Sequence, residues 1–200
     1  MRSGARAYTL AEVLVAAFLL SLLLTVLFQV LFPLVRASQR GYRRISIQEV
    51  GGLALDHLAR EFDSTPAVGI TPPQVTADRV VLALHPIESV SSGGRQFYAD
   101  HLDIFHWQRT SGRLIHETWN QAGVDLTLEP RRLTSSELQA AIDSDNGSER
   151  VMAHGVSGFL VTAAGPGPGL VLPLTLTLQL EDQGDKLELS RRFYLMNSSL

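Results

Sequence analysis

The chain has 200 residues and a formal net charge of −3. This charge excludes a globally basic nucleic-acid-binding protein, although a local basic patch remains compatible with it. The sequence contains no cysteine, so there is neither a disulfide framework nor thiol chemistry, and an exported domain would be stable through packing alone.

The first feature along the chain is an apolar segment from Val13 to Val35, a run of 23 residues without a charged side chain. As an α-helix it would span about 35 Å, which is enough to cross the hydrocarbon core of a bilayer. Apolar residues occupy every face of this helix, whereas a helix that lies on a protein core keeps one polar face. We therefore predict a transmembrane helix over residues 8–35.

One carboxylate, that of Glu12, lies at the start of this apolar segment. An unpaired carboxylate in hydrocarbon costs about 2.5–3.5 kcal/mol even on lenient insertion scales. An acidic residue at this position therefore suggests a partner within the membrane, as expected of a subunit that assembles with others.

The N-terminal residues resemble the leader and first helix of the type IV pilin and type II secretion pseudopilin superfamily. The resemblance rests on Arg2 and Arg6 followed by the sequence Ala-Tyr-Thr-Leu-Ala-Glu, which ends at Glu12. It implies a prepilin leader over residues 1–7, cleavage by prepilin peptidase between Ala7 and Tyr8, N-methylation of Tyr8, and a role of Glu12 in assembly. Alanine before the cut and tyrosine after it replace the family's usual glycine and phenylalanine.

Two other interpretations of the same residues stay open. An ordinary secretory signal peptide would be cut before Ser38, although such signals have an apolar run of about 7–15 residues. A plain signal anchor would make Glu12 a first-turn acid, favoured by the helix dipole by about 0.3–1 kcal/mol. Charge does not decide the topology, because two arginines precede the apolar segment and four follow it, between Arg36 and Arg44.

A helical pattern continues beyond the membrane segment. Apolar residues recur at spacings of three and four from Ile47 to Phe62, which predicts an amphipathic half of the helix over residues 36–63. Prolines from Pro66 onward end the pattern, so one helix from Thr9 to Asp63 is expected. The Gly51-Gly52 pair within it indicates either close packing against the rest of the chain or a local irregularity.

Residues 64–200 are predicted to form a β-rich globular head, because the apolar period changes from 3.6 to 2. The capping-box spacing at Thr134 predicts a short helix before Ile142. The predicted strands are Arg79 to His85, Leu102 to Gln108, Arg113 to Trp119, Val156 to Thr162, Leu174 to Leu180 and Leu187 to Leu195. The expected fold class is α+β, with a long N-terminal helix packed on an antiparallel β-sheet head.

The order of these elements resembles the J-type minor pseudopilins and related minor pilins. Specific points are the sequence Leu-Ala-Arg-Glu-Phe that ends at Phe62 and the Leu-Pro that precedes the Leu-x-Leu-x-Leu strand at Leu174. The resemblance implies a non-enzymatic minor subunit that helps to initiate or cap a type II secretion pseudopilus or a type IV pilus. It would cross the inner membrane once, with the head in the periplasm or otherwise outside the cytoplasmic membrane.

Partners are also implied by this resemblance. They are prepilin peptidase, other minor and major pilin or pseudopilin subunits, and an inner-membrane assembly platform; nucleic acid is a partner only in a competence pilus. A different class of function stays open, in which the anchored head itself binds DNA or a secreted substrate. A third possibility is a secreted soluble β-rich protein that begins at Ser38.

The sequence offers no catalytic motif that is favoured over a structural interpretation, and no cofactor is predicted. His101, His106 and His116 could meet on adjacent strands, but their spacing fits no metal template, and solvated or core histidines are favoured. The loop with Asp143, Asp145 and Glu149 could wrap Ca²⁺, although its glycine is one position early for an EF-hand. A plain acidic surface loop is the favoured interpretation.

Overall fold

The computed structural model describes residues 9–120, 122–144, 148–163 and 173–194. It contains two α-helices, α1 (Leu10–Asp63) and α2 (Ser135–Asp143), and a short 3₁₀ turn at Ala67–Gly69. The strands are β1 (Ile70–Val75), β2 (Arg79–Leu84), β3 (Ile87–Val90), β4 (Gln96–Tyr98), β5 (Leu102–Gln108), β6 (Arg113–Trp119), β7 (Arg150–His154), β8 (Val156–Ala163), β9 (Leu174–Asp182) and β10 (Asp185–Phe193). The α+β class is confirmed.

Helix α1 is continuous over 54 residues, as predicted. The chain divides into two compact units within it, between Ile45 and Ser46. In the first unit, the large apolar side chains from Leu10 to Val35 are all at least 40% exposed. None of them contributes to a hydrophobic core formed by the described residues.

The second unit is built on a five-stranded antiparallel sheet in the order β1-β2-β5-β6-β7. A three-stranded sheet in the order β10-β9-β8 accompanies it, and β3 pairs with β4. The central strands β2 and β5 are buried along almost their whole length. Because alternate side chains of a strand point to opposite faces, both faces of the larger sheet must be covered.

One face of the larger sheet packs with the end of α1. Ala54, Leu58 and Phe62 form a stripe at spacings of four residues, and Leu58 and Phe62 are fully buried. This stripe shares one core with β2, β5 and the apolar face of β9. Phe62 also stacks on Phe193 of β10, with the ring centroids 4.8 Å apart.

Close approach of α1 to the smaller sheet depends on Gly51. A Cβ atom at this position would lie 2.7 Å from Cδ1 of Leu189 and 2.8 Å from Cδ1 of Leu180. A Cβ at Gly52 would meet nothing within 4 Å. Of the two explanations for the glycine pair, close packing therefore applies to Gly51.

The other face of the larger sheet is covered by α2. Leu138, Ala141 and Ile142 of this helix share a second core with apolar residues of β2 and β5. The helix begins with the predicted capping box, in which Thr134 accepts from the Glu137 backbone N–H and the Glu137 side chain accepts from the Thr134 backbone N–H. The start of this helix is therefore at the capping box that the sequence predicts.

Four strands were not predicted from the sequence: β1, β3, β4 and β7. In β1, Pro72 and Pro73 lie where the pairing with β2 shifts register, at the edge of the sheet. Proline is tolerated at an edge or a bulge because no ladder hydrogen bond is needed there. The predicted C-terminal hairpin is confirmed, but its turn is tighter than expected, since Asp182 pairs directly with Asp185.

Candidate functional site

The start of α1 is a second capping box, formed by Thr9 and Glu12. The Glu12 carboxylate accepts from the Thr9 backbone N–H at 2.9 Å and from the Thr9 hydroxyl at 3.1 Å. In return, the Glu12 backbone N–H donates to the Thr9 hydroxyl at 3.3 Å. The Thr-x-x-Glu spacing is the sequence signature of this motif, and sequence analysis missed it.

Two small side chains lie near Glu12 on the helix surface. Ala16 and Ala17 lie one turn further along, and together with Val13 and Leu20 they line a shallow open surface beside the carboxylate. Small residues allow the backbones of two membrane helices to approach closely. The predicted cleavage residues Ala7 and Tyr8 lie outside the described residues.

Helix α1 is long and apolar enough to cross a membrane. Its most apolar 18-residue window has a mean hydropathy of 2.6, and none of that window is buried. A core helix of a soluble domain would be mostly buried, so exposure argues against that role. A signal sequence near an N-terminus can pass the same test of length and hydropathy, and the distinction lies in processing.

A polar cluster lies between α1 and the larger sheet, and we call it the helix-side cluster: His57 and Glu61 of α1, Asp103 of β5 and His116 of β6. His116 Nε2 is 2.8 Å from Asp103 Oδ1, and His57 Nδ1 is 3.6 Å from Glu61 Oε1. The two imidazole rings meet edge to face with centroids 5.1 Å apart. Strand register places Asp103 and His116 on the same face of the sheet.

Partial burial shifts the pKa values of two members of the helix-side cluster, His57 and Glu61. It lowers the pKa of His57, and the nearby His116 and Arg60 act in the same direction. It raises the pKa of Glu61, and the Asp103 carboxylate adds to the effect. Neutral His57 is thus favoured, and the cluster supplies hydrogen-bonding groups inside an otherwise apolar interface.

An open cleft of about 340 Å³ adjoins the helix-side cluster. It is lined by His57, by the apolar Leu53 and Met152, and by two cations, Arg60 and Arg150. Such a mixture of apolar and cationic groups suits contact with an acidic or amphipathic partner surface. The lining contains no serine, threonine or lysine that His57 could activate as a nucleophile.

His85, at the end of β2, is a fully buried histidine with both ring nitrogens engaged. Nε2 lies 2.9 Å from the carbonyl oxygen of Ala99, and Nδ1 lies 2.9 Å from the backbone nitrogen of Arg131. Because the Arg131 N–H can only donate, Nδ1 is the acceptor and Nε2 carries the proton. Burial lowers the pKa of His85, which keeps this neutral tautomer in place.

A further cluster lies on the opposite face of the larger sheet, and we call it the α2-side cluster: His106 of β5, Glu117 of β6 and Glu149, which precedes β7. Ligand-type atoms of these three residues all lie within 4.8 Å of one another. His106 and Glu117 are buried and Glu149 is exposed. Burial, with Arg79 nearby, lowers the pKa of His106 to about 4.

The two Ca²⁺ candidates that the structure describes, Asp143 and Glu149, take part in different contacts. Asp143 accepts from the Gln139 side-chain amide and lies 4.0 Å from Arg79, while Asp145 is outside the described residues. Glu149 instead joins His106 and Glu117. The three histidines considered from the sequence do not meet as a group: His101 contacts Asp100, and strand register places His106 and His116 on opposite faces.

No family model, no curated protein and no solved structure matches the chain.

Proposed function

We propose that this chain is a membrane-rooted minor subunit of a type II secretion pseudopilus or a type IV pilus, which helps to initiate or cap the fibre. The observation that carries the proposal is the first part of α1, an apolar helix with no buried face and one carboxylate in its first turn. A helix of this kind has its complement outside the chain, in lipid or in the helices of neighbouring subunits.

The surroundings of Glu12 support an assembly role. Its carboxylate is exposed, although it also caps the helix. The alanines beside it leave room for a second helix to come close. A cationic group on that neighbour, such as the methylated amine implied by the pilin resemblance, would pair with Glu12 in a low-dielectric environment, where ion pairs are stronger than in water.

Processing provides the first test of the proposal. When the chain is produced in cells with a prepilin peptidase, we expect mass spectrometry to find a mature N-terminus at N-methyl-Tyr8. Ala7→Gly restores the usual family residue and should be processed at the same bond. In cells that lack the peptidase, the leader should remain. A mature chain that begins at Ser38 would instead identify a secretory signal peptide and contradict the proposal.

Substitutions at Glu12 provide the second test, because the capping box and the charge can be separated. Glutamine serves at this position of a capping box but carries no charge. Glu12→Gln should therefore keep the helix start and the membrane location, yet reduce cross-linking to neighbouring pilin-like subunits as strongly as Glu12→Ala. Membrane fractionation and site-specific cross-linking measure the two effects.

Thr9→Val is the matched control for the Glu12 variants. It removes the hydroxyl of the capping box and keeps the carboxylate, so its cross-linking should stay close to that of the unchanged chain. If Glu12→Gln assembles normally and only Glu12→Ala fails, the carboxylate acts as a helix cap alone. The plain signal anchor would then be the better description of this segment.

A further inference from the structure

The α2-side cluster brings together three metal-ligand side chains from separate parts of the chain. His106 and Glu117 come from adjacent strands, where pairing of Ile104 with Glu117 and of His106 with Ile115 puts both side chains on one face. Glu149 reaches them from the segment that follows α2. Nε2 of His106 lies 3.5 Å from Oε2 of Glu117.

Burial of His106 is the second observation that points to a ligand. The residue is 0% exposed, and neither ring nitrogen makes a hydrogen bond within the part of the chain that the structure describes. A buried polar group left without a partner costs about 1–3 kcal/mol. An ion bound at Nε2 would remove this cost at that nitrogen.

The donor set also selects the kind of ion. One imidazole nitrogen and two carboxylates carry a total charge of −2, which a divalent cation would balance. Calcium and magnesium prefer sites made of oxygen alone, whereas zinc accepts imidazole together with carboxylate. Two ligand atoms 3.5 Å apart and each about 2.1 Å from a zinc ion subtend about 110° at the metal, which is the tetrahedral angle.

We propose that His106, Glu117 and Glu149 bind one zinc ion, or a similar divalent transition metal, on the α2 face of the larger sheet. Three protein ligands leave a fourth tetrahedral position for water. Glu149 is the exposed member of the cluster, so water would reach the ion from its side. The ion would tie the segment that precedes β7 to the buried strands β5 and β6.

Zinc titration of the full-length chain tests this site. The protein is purified in detergent without an affinity tag, stripped with EDTA and titrated with zinc chloride in a calorimeter. We expect one high-affinity zinc per chain and a thermal transition that rises with zinc concentration, because an ion that binds only the folded state stabilises it. Glu149→Gln should weaken binding at least about tenfold, a loss of about 1.4 kcal/mol.

Glu149 is chosen for substitution because it is exposed, so its loss should leave the fold intact. Glu88→Gln, at an exposed position of β3, is the matched control and should bind zinc like the unchanged chain. Absence of tight zinc binding, or equal affinity in Glu149→Gln, would overturn the proposal. So would zinc binding that is lost in Asp143→Asn and kept in Glu149→Gln, because the ligands would then be those of the acidic loop.

Discussion

Two regions of helix α1 differ in how their apolar side chains are placed. From Leu10 to Val35, every leucine, valine and phenylalanine is at least 40% exposed. From Ser46 to Asp63, apolar side chains are concentrated in a stripe, and Leu58 and Phe62 are fully buried. The backbone is the same uninterrupted helix in both regions.

The comparison shows that helical structure by itself does not reveal what a helix packs against. In the second region the partner is within the chain, since the stripe from Ala54 to Phe62 shares a core with both sheets. In the first region, uniform apolarity is compatible with a helix that spans a membrane. Within the second region, the buried and the exposed face of the helix should therefore respond differently to the same kind of substitution.

The largest contrast is expected between two leucines of the second region, Leu58 and Leu53. We expect a fragment from Arg36 to Leu200 to fold and stay soluble, and Leu58→Asp to unfold it. A fully buried leucine contributes about 1.5–3 kcal/mol, and a buried unpaired charge adds a larger penalty, against a total stability of about 5–15 kcal/mol. Circular dichroism during heating should show a cooperative transition in the parent and none in Leu58→Asp.

Leu53→Asp is the control, because Leu53 lies on the same helix and is 64% exposed. Its melting temperature should stay near that of the parent, with a cost below about 1 kcal/mol. If Leu58→Asp melts like the parent, the stripe does not pack on the sheets. If both variants unfold, the substitution acts on the helix itself and the comparison between buried and exposed faces fails.

A smaller effect is expected from pH, and it is specific to the second region, where buried histidines occur. Burial lowers the pKa of His85 in the folded state, so the unfolded chain binds a proton more readily. The contribution of neutral His85 to the free energy of unfolding should be fully present above about pH 6.5, the ordinary pKa of histidine. It should decrease as the pH falls below this value. Each proton taken up on unfolding changes the free energy of unfolding by about 1.4 kcal/mol per pH unit.

Urea denaturation between pH 7 and pH 5 measures this dependence. His85→Gln keeps a donor and an acceptor without a titrating ring, and its stability should depend less steeply on pH. His154→Gln alters an exposed residue of β7 and should keep the slope of the parent. An unchanged slope in His85→Gln would show that this histidine does not contribute to the acid sensitivity.

The smallest expected difference in the free energy of unfolding is between variants of the two neighbouring glycines, Gly51 and Gly52. Alanine is favoured over glycine within a helix by about 1 kcal/mol, so Gly52→Ala, with open space around its Cβ, should gain about this amount. Gly51→Ala should gain less because Leu180 and Leu189 must shift, and Gly51→Leu should lose about 1–3 kcal/mol through overpacking. Urea midpoints at constant slope report these changes, and equal gains in both alanine variants would contradict close packing at Gly51.

Elements with a strong local pattern could be predicted from the sequence. Helix α1, the hairpin of β5 and β6, the C-terminal hairpin and the capped helix α2 all follow from apolar spacing and turn residues. Strand β1 could not, because Pro72 and Pro73 indicate a loop unless it is known that they lie at an edge. Strands β3 and β4 are too short to show a period.

The candidate sites were less accessible to sequence reasoning than the elements. Register of β5 and β6 would have placed His106 and Glu117 on one face, but burial of that face depends on α2 packing over it. Glu149 joins them just before β7, and the register in which β7 pairs with β6 shifts between Leu114 and Ile115. This shift could not be read from the sequence. The role of Glu12 as a cap, in contrast, is readable from Thr9 three positions earlier.

The prolines of β1 affect how readily other molecules can add a strand to this edge of the sheet. An unpaired strand at the border of a sheet invites strands of other molecules to add to it, which is how aggregates grow. Pro72 and Pro73 lack the backbone N–H groups that such addition requires, and they interrupt the ladder midway along the border. At high local concentration, copies of the chain would thus be less prone to merge into a shared sheet along β1.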